Sequence, residues 1–187
     1  RASSSVIDGR MRAVIENVQP QVDAGRFASK RTLGDLVRVE ADAFTDGHDS
    51  VRCMLRYRHA DQTDWSEAEM QPLGNDRWQG SFEVTALGRY RYTVVAWADR
   101  YLTWRRELER RDDPADILLA LKVGADLLTN AARRAAGEDR ARLEAAARRL
   151  AGSRDAEAGR TLALDAELDR VAKRFPDRRF ETRFDRE

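Results

Sequence analysis

The sequence predicts an α+β chain: an immunoglobulin-like antiparallel β-sandwich with an inserted or appended three- to four-helix bundle. Three observations carry this expectation. From Met11 to Trp104 apolar and polar residues alternate in short runs separated by turn formers, the mark of strands with one buried face. After Glu107 the apolar residues recur every three or four positions, the period of an amphipathic helix. From Arg179 to Asp185 the alternation returns, with Phe180, Thr182 and Phe184 in one phase. The expected division is a sandwich over residues 11–106, a helical bundle over 107–176 and a return strand over 177–187 that rejoins the sandwich.

The strand-like runs are Ala13–Val18, Leu36–Phe44, Val51–Arg58, Trp65–Met70, Arg77–Val84 and Arg89–Ala98, with a shorter one at Tyr101–Arg105. In the second run Val37, Val39, Ala41 and Ala43 oppose Arg38, Glu40 and Asp42; in the third, Val51, Cys53, Leu55 and Tyr57 oppose Arg52, Arg56 and Arg58. Val37, Val39, Val51, Leu55, Tyr90, Tyr92 and Val94 are the expected core. Hairpin chemistry stands where the pattern breaks, at Asp46-Gly47, Gly74-Asn75-Asp76 and Leu87-Gly88, because Gly, Asn and Asp supply the left-handed or tight-turn conformations that hairpins demand. Short strands at this spacing suit an immunoglobulin-like sandwich.

In the helical half Asp113 followed by Pro114 reads as a helix start, with a side-chain cap and a first-turn proline. Ile117, Leu118, Leu121, Ala125, Leu128, Ala132 and Ala135 form its stripe, and Gly137 is expected to close it. A second helix over Glu138–Ala151 presents Leu143, Ala147 and Leu150 and stops at Gly152. Ser153 is the expected cap of a third, broken near Gly159 and ending at Phe175-Pro176. The stripes are rich in Ala, so the bundle needs cover from the sandwich or another chain. Leu119, Val123 and Leu127 lie off the main stripe and are candidate interface residues.

Composition narrows the function. The 187 residues suffice for one domain or two small ones and not for a barrel enzyme. Charged residues are 36% of the chain, but 34 basic against 33 acidic leave a net charge of +1, which argues against a nucleic-acid partner. The basic residues are almost all Arg, interleaved with Glu and Asp as on solvated helical faces. No run reaches the roughly 20 apolar residues of a membrane span, and no secretion signal opens the chain, so no membrane partner is expected and the location expected is cytoplasmic. Arg1 is not an initiator Met; residues 1–10 are given no structural role.

The search for chemistry yields no catalytic, metal or cofactor residue. His48 and His59 have no neighbour at ligand spacing, Cys53 sits in a strand pattern as an inert thiol, and the carboxylates fall on exposed faces rather than as a fixed pair. The aromatics stand apart: Trp65, Trp78, Trp97 and Trp104, with Tyr57, Tyr90, Tyr92 and Tyr101, are all in the β-rich half. They are candidates for contact with a sugar, whose C–H face stacks on flat rings, or for core and interface packing. Trp97 is opposite in phase to Tyr90, Tyr92, Val94 and Ala96, so that strand carries large apolar groups on both faces.

Several segments together resemble the start of GlgE-type maltosyltransferases: the stretch from Val14 through Val18 and Pro20 to Phe27, then Val39 to Asp49, Pro72 to Phe82, Leu87 to Val94, and Ala96 to Arg106. The likeness is strong from Val14 to Glu109 and looser in the helices. It implies an α-amylase-superfamily enzyme that transfers maltosyl from α-maltose 1-phosphate to an α-1,4-glucan, with retention through a covalent glycosyl-enzyme. It also implies that the catalytic carboxylates belong to a (β/α)8 barrel beyond Glu187, so no catalytic residue carries over. The partners it implies are a second copy, in a homodimer, and the barrel of the same polypeptide. The chain is then expected to be a non-catalytic assembly region or, alternatively, a carbohydrate-binding module.

Overall fold

The computed structural model describes residues 12–20 and 30–187. Residues 1–10, the expected sandwich start at Met11 and the stretch 21–29 of the strand-like half lie outside the described residues. The described chain is α+β, with two antiparallel four-stranded sheets and five helices. It divides into two compact units, one running up to Ala98 and resuming at Arg179–Glu187, the other spanning Asp99–Arg178.

In the first unit β1 (Val14–Gln19), β2 (Leu36–Phe44), β6 (Arg77–Glu83) and β5 (Gln71–Gly74) form one sheet in the order β1-β2-β6-β5. The other runs β4-β3-β7-β8, from β4 (Ser66–Glu69), β3 (Val51–His59), β7 (Tyr90–Ala98) and β8 (Thr182–Arg183). The inward phases of both sheets meet in one core that includes Val37, Val39, Leu55, Phe82 and Val94, with Val51, Tyr57, Tyr90 and Tyr92 half-buried against it. β8 pairs antiparallel with β7 through Val95↔Arg183 and Ala96↔Thr182, so the tail returns to the sheet that the chain left at Ala98.

Three expectations about turns and breaks are corrected. Asp46-Gly47 and Leu87-Gly88 join strands of different sheets, and of the three expected turns only Gly74-Asn75-Asp76 closes a hairpin. There all three residues have positive φ, 96°, 48° and 61°, a stretch that Gly, Asn and Asp tolerate. The run Trp65–Met70 ends at a sheet switch: Met70 is buried, its N–H donates to Cys53 O at 3.0 Å, and the chain crosses as β5. Gly80 leaves the room this needs, since a Cβ there would stand 2.9 Å from Met70 Cγ.

The second unit holds α1 (Arg100–Glu109), α2 (Pro114–Arg134), α3 (Gly137–Ala151), α4 (Ala156–Ala163) and α5 (Ala166–Lys173). The expected strand at Tyr101–Arg105 is the first half of α1, which opens the second unit. Asp99 caps it, accepting from Leu102 N at 3.0 Å, and Tyr101, Trp104 and Leu108 fall at helical spacing toward the helical core. α2 begins as expected, with Asp113 accepting from Asp116 N. It ends at Arg134, and Gly137, at φ 56°, opens α3 instead of closing α2.

The third helix is two. Ser153 does not cap it: its hydroxyl donates to Arg149 O, while Asp155 accepts from Ala158 N and starts α4. The break falls at Leu164-Asp165, where Asp165 accepts from Leu168 N at 2.9 Å. Gly159 lies buried inside α4, where any Cβ would overlap Leu121, so it permits close approach of α4 to α2 rather than ending a helix. Leu108, Ile117, Leu121, Leu128, Leu143, Leu150 and Val171 are the fully enclosed large residues of this unit.

Candidate functional site

The outward phase of β3 carries Arg52, Arg56 and Arg58, and each guanidinium has a defined partner. Arg52 pairs with Glu69 at 2.9 Å and lies 5.4 Å from the Trp97 ring centroid. Arg56 bridges Glu67 of β4 at 2.7 Å and Glu181, beside β8, at 3.2 Å. Arg58 lies 4.7 Å from the centroid of Trp65, over which Arg183 of β8 also sits at 5.3 Å. This row ties the sheet's two edge strands to its centre.

The four candidate tryptophans are thereby distributed. Trp65, beside β4, is half-buried and engaged by two guanidinium groups, a contact in which a ring's electron-rich face attracts a cation. Trp97 stands opposite Arg52 in the β3–β7 register and is only 2% exposed. Trp78 belongs to the other sheet, donates from Nε1 to Ala43 O at 3.1 Å and packs against the core. Trp104 sits in α1 of the helical unit, not in the β-rich half, with Nε1 donating to Ala120 O at 2.8 Å. The tyrosines also pack inward: Tyr57 stacks on Phe82 at 4.6 Å, Phe82 meets Tyr90 at 5.7 Å, and Tyr101 belongs with Trp104.

The close carboxylates each share an arginine. Glu40 and Asp42, outward on β2, meet Arg77 at 3.2 and 2.9 Å. The hydrogen bond from Asn17 Nδ2, together with Arg77, holds Asp42 below its ordinary range against the opposing effect of burial. Such a group stays ionised and is unsuited to donate a proton, whereas a glycosidase-type pair needs one carboxyl raised. Burial pushes the Cys53 thiol up to about 12, which removes it from thiolate chemistry at neutral pH. His59 is occupied in a turn, Nε2 bonded to Leu87 O at 2.9 Å and Nδ1 accepting from Asp61 N at 3.2 Å. Among the described residues no three His, Cys, Asp or Glu are grouped to hold a metal ion, and no helix is long and apolar enough to cross a membrane.

On α2 Leu119 is 64% and Val123 49% exposed, while Leu127 turns partly inward against the helical core. Residues that the pattern did not single out include Leu33, Leu36 and Leu87, all exposed, and three arginines that close helix ends. Arg105 donates to Ala163 O and Leu164 O at the end of α4, Arg160 to Glu109 O and Arg111 O after α1, and Arg134 to Phe175 O after α5. Their partners are distant in sequence, so no local spacing announces them.

Compared with known proteins, the chain matches over residues 11–186 the family model described as alpha-1,4-glucan:maltose-1-phosphate maltosyltransferase, domain N/S. The chain belongs to this family. It is 45% identical over 183 residues to the alpha-1,4-glucan:maltose-1-phosphate maltosyltransferase of Myxococcus xanthus (strain DK1622), covering 92% of this chain and 27% of that protein. With the protein of the same name from Chlorobaculum tepidum it shares 47% over 133 residues, 71% of this chain and 20% of the relative. This N/S domain thus spans 27% and 20% of the length of these two relatives.

Proposed function

We propose that this N/S domain is the N-terminal, non-catalytic assembly and scaffold region of a maltosyltransferase whose remaining polypeptide transfers maltosyl from α-maltose 1-phosphate to an α-1,4-glucan. The observation that carries the reading is the N/S family match over residues 11–186, set beside relatives of which the chain covers only 27% and 20%. In this reading the sheet orders β1-β2-β6-β5 and β4-β3-β7-β8 are an immunoglobulin-like sandwich, with the ABED and CFG pairing of that fold plus one strand beside C. The five helices are a bundle inserted between β7 and β8. The region supports a homodimer, for which Leu119 and Val123 are exposed, and seats the catalytic barrel. The alternative, an α-glucan-binding module, draws on the tryptophans; the scaffold reading is supported over it because two are buried and Trp65 is taken up by Arg58 and Arg183.

The test is phosphate release from α-maltose 1-phosphate in the presence of glucan. The 187-residue chain is expected to give the buffer rate, and a long polypeptide in which it replaces the matched region of the Myxococcus xanthus relative is expected to release phosphate. Turnover by the chain alone, or none by the long protein when correctly folded, overturns the proposal.

A further inference from the structure

The outer edge of β7 is closed by a short return of the chain. β8 pairs with β7 over two residues, Val95↔Arg183 and Ala96↔Thr182. Just past it Phe184 N donates to Val94 O at 2.9 Å, and Thr93 Oγ1 donates to Phe184 O at 3.3 Å. β1 is the edge strand of the other sheet, and β8 lies beside both β7 and β1. Residues 179–187 therefore close the side of the two sheets between these strands.

What holds this segment differs from what holds the longer strands. β3 pairs with β7 along the whole of Val51–His59 and buries Cys53 and Leu55 completely. Of the two apolar side chains in 179–187, Phe184 packs against the core of the sheets and Phe180 is 48% exposed. Charge carries much of the rest. Arg56 of β3 reaches Glu181 at 3.2 Å as well as Glu67 at 2.7 Å, and Arg183 lies 5.3 Å from the centroid of the Trp65 ring that Arg58 also covers. Glu187 pairs with Arg91 at 3.5 Å and with Arg183. Both side chains of the Arg56–Glu181 pair keep contact with solvent, so dissolved salt screens their attraction. A segment with a short ladder and little buried apolar surface opens locally while the rest of a domain stays folded.

We propose that residues 179–187 are a detachable strap, which lifts from β7 and β1 as a unit under the control of ionic strength while the two sheets stay folded. Lifting it has two consequences. It uncovers the seat of Phe184 in the core and the β7 backbone at Val94–Ala96, an edge that a paired strand otherwise blocks. It also removes one of the two points at which the helical unit is joined to a strand, because the chain leaves β7 at Ala98 and returns at Arg179. The strap thus sets whether that unit is tethered at both ends or at one.

Hydrogen exchange of the 187-residue chain, read by mass spectrometry, tests this at about 0.1 M and about 1 M salt, between which the screening length falls from about 10 to about 3 Å. Amides of 179–187 are expected to exchange several-fold faster at the higher salt, and those of β3 at the same rate in both. Arg56→Gln with Arg183→Gln is expected to give the fast rate already at the lower salt, with no further rise. Arg56→Lys with Arg183→Lys, which keeps the charges, is expected to recover part of the protection and of the salt response. Strap amides that exchange no faster than those of β3, or whose rate does not respond to salt, overturn the proposal. A lysine pair that behaves like the glutamine pair also overturns it, since the hold is then packing rather than charge. Should a variant not fold by circular dichroism, the salt comparison on the parent decides by itself.

Discussion

Arginine looks, by composition, like surface charge, yet several of these side chains have structural posts. Arg105 and Arg160 donate to Ala163 O and Glu109 O, last-residue carbonyls that α4 and α1 leave without an intrahelical partner, and Arg134 to Phe175 O just past α5, all near the negative ends of helix dipoles, which suit a cation. Glycine is equally specific at position 124, where a Cβ would stand 2.7 Å from Trp104 Cε2 and nearer still to Cζ2. Gly to Ala inside a helix ordinarily gains about 0.5–1 kcal/mol, but Trp104 is tied to Ala120 O and cannot withdraw. Overpacking costs about 1–3 kcal/mol, so Gly124→Ala is expected to destabilise the helical unit, read as a lower urea midpoint in far-ultraviolet circular dichroism. Asp42 supplies a pH test. Its folded value lies below the ordinary 3.8, chiefly through Asn17, so its contribution is present above 3.8 and is lost as pH falls through the folded value. Asp42→Asn is expected to lower stability at neutral pH, with the gap to the parent closing in stronger acid; a gap unchanged by pH would show that the carboxylate is not the source.

Among the elements, the split of the third helix gives the sharpest contrast. Asp155 and Asp165 accept from the third backbone N–H of α4 and α5, whereas Ser153 bonds backward to Arg149 O on α3. Loss of a cap costs about 0.5–2 kcal/mol. Asp155→Ala and Asp165→Ala are therefore expected to lower the unfolding midpoint, and Ser153→Ala to leave it nearly in place; the reverse order would restore Ser153 as the cap. Strand phase was legible in the sequence because a half-buried strand must alternate: Val37, Val39, Leu55 and Val94 are buried where alternation puts them. Helix α2 was legible from its cap, proline and stripe. The sheet switch at Met70 was not, since it depends on the room above Gly80, nor was α1, because the run Tyr101–Arg105 holds only Tyr101 and Trp104 of the helical set Tyr101, Trp104 and Leu108, too few to show its period. The distribution of the tryptophans was illegible for the same reason: composition counts rings, and only tertiary packing says which face each one meets.

Over the whole molecule, the proposed self-association can be weighed by magnitude. α2 buries Ile117, Leu121 and Leu128 on its stripe and leaves Leu119 and Val123 64% and 49% exposed. Fully burying a Leu or Val gains about 1.5–3 kcal/mol, so covering what these two leave exposed is worth roughly 2–3 kcal/mol per protomer. A two-fold contact counts it twice, at roughly 4–6 kcal/mol, because the same patch is used on both copies. Lost translational and rotational freedom costs about 4–15 kcal/mol, so this patch can anchor a dimer and cannot hold a tight one alone. Sedimentation velocity of the 187-residue chain is therefore expected to show weak, concentration-dependent association. Leu119→Lys with Val123→Lys is expected to abolish it without changing the helical circular dichroism, since both side chains already face outward. A chain that stays monomeric at every concentration, or a double variant that associates as the parent does, removes the α2 patch as the contact between copies.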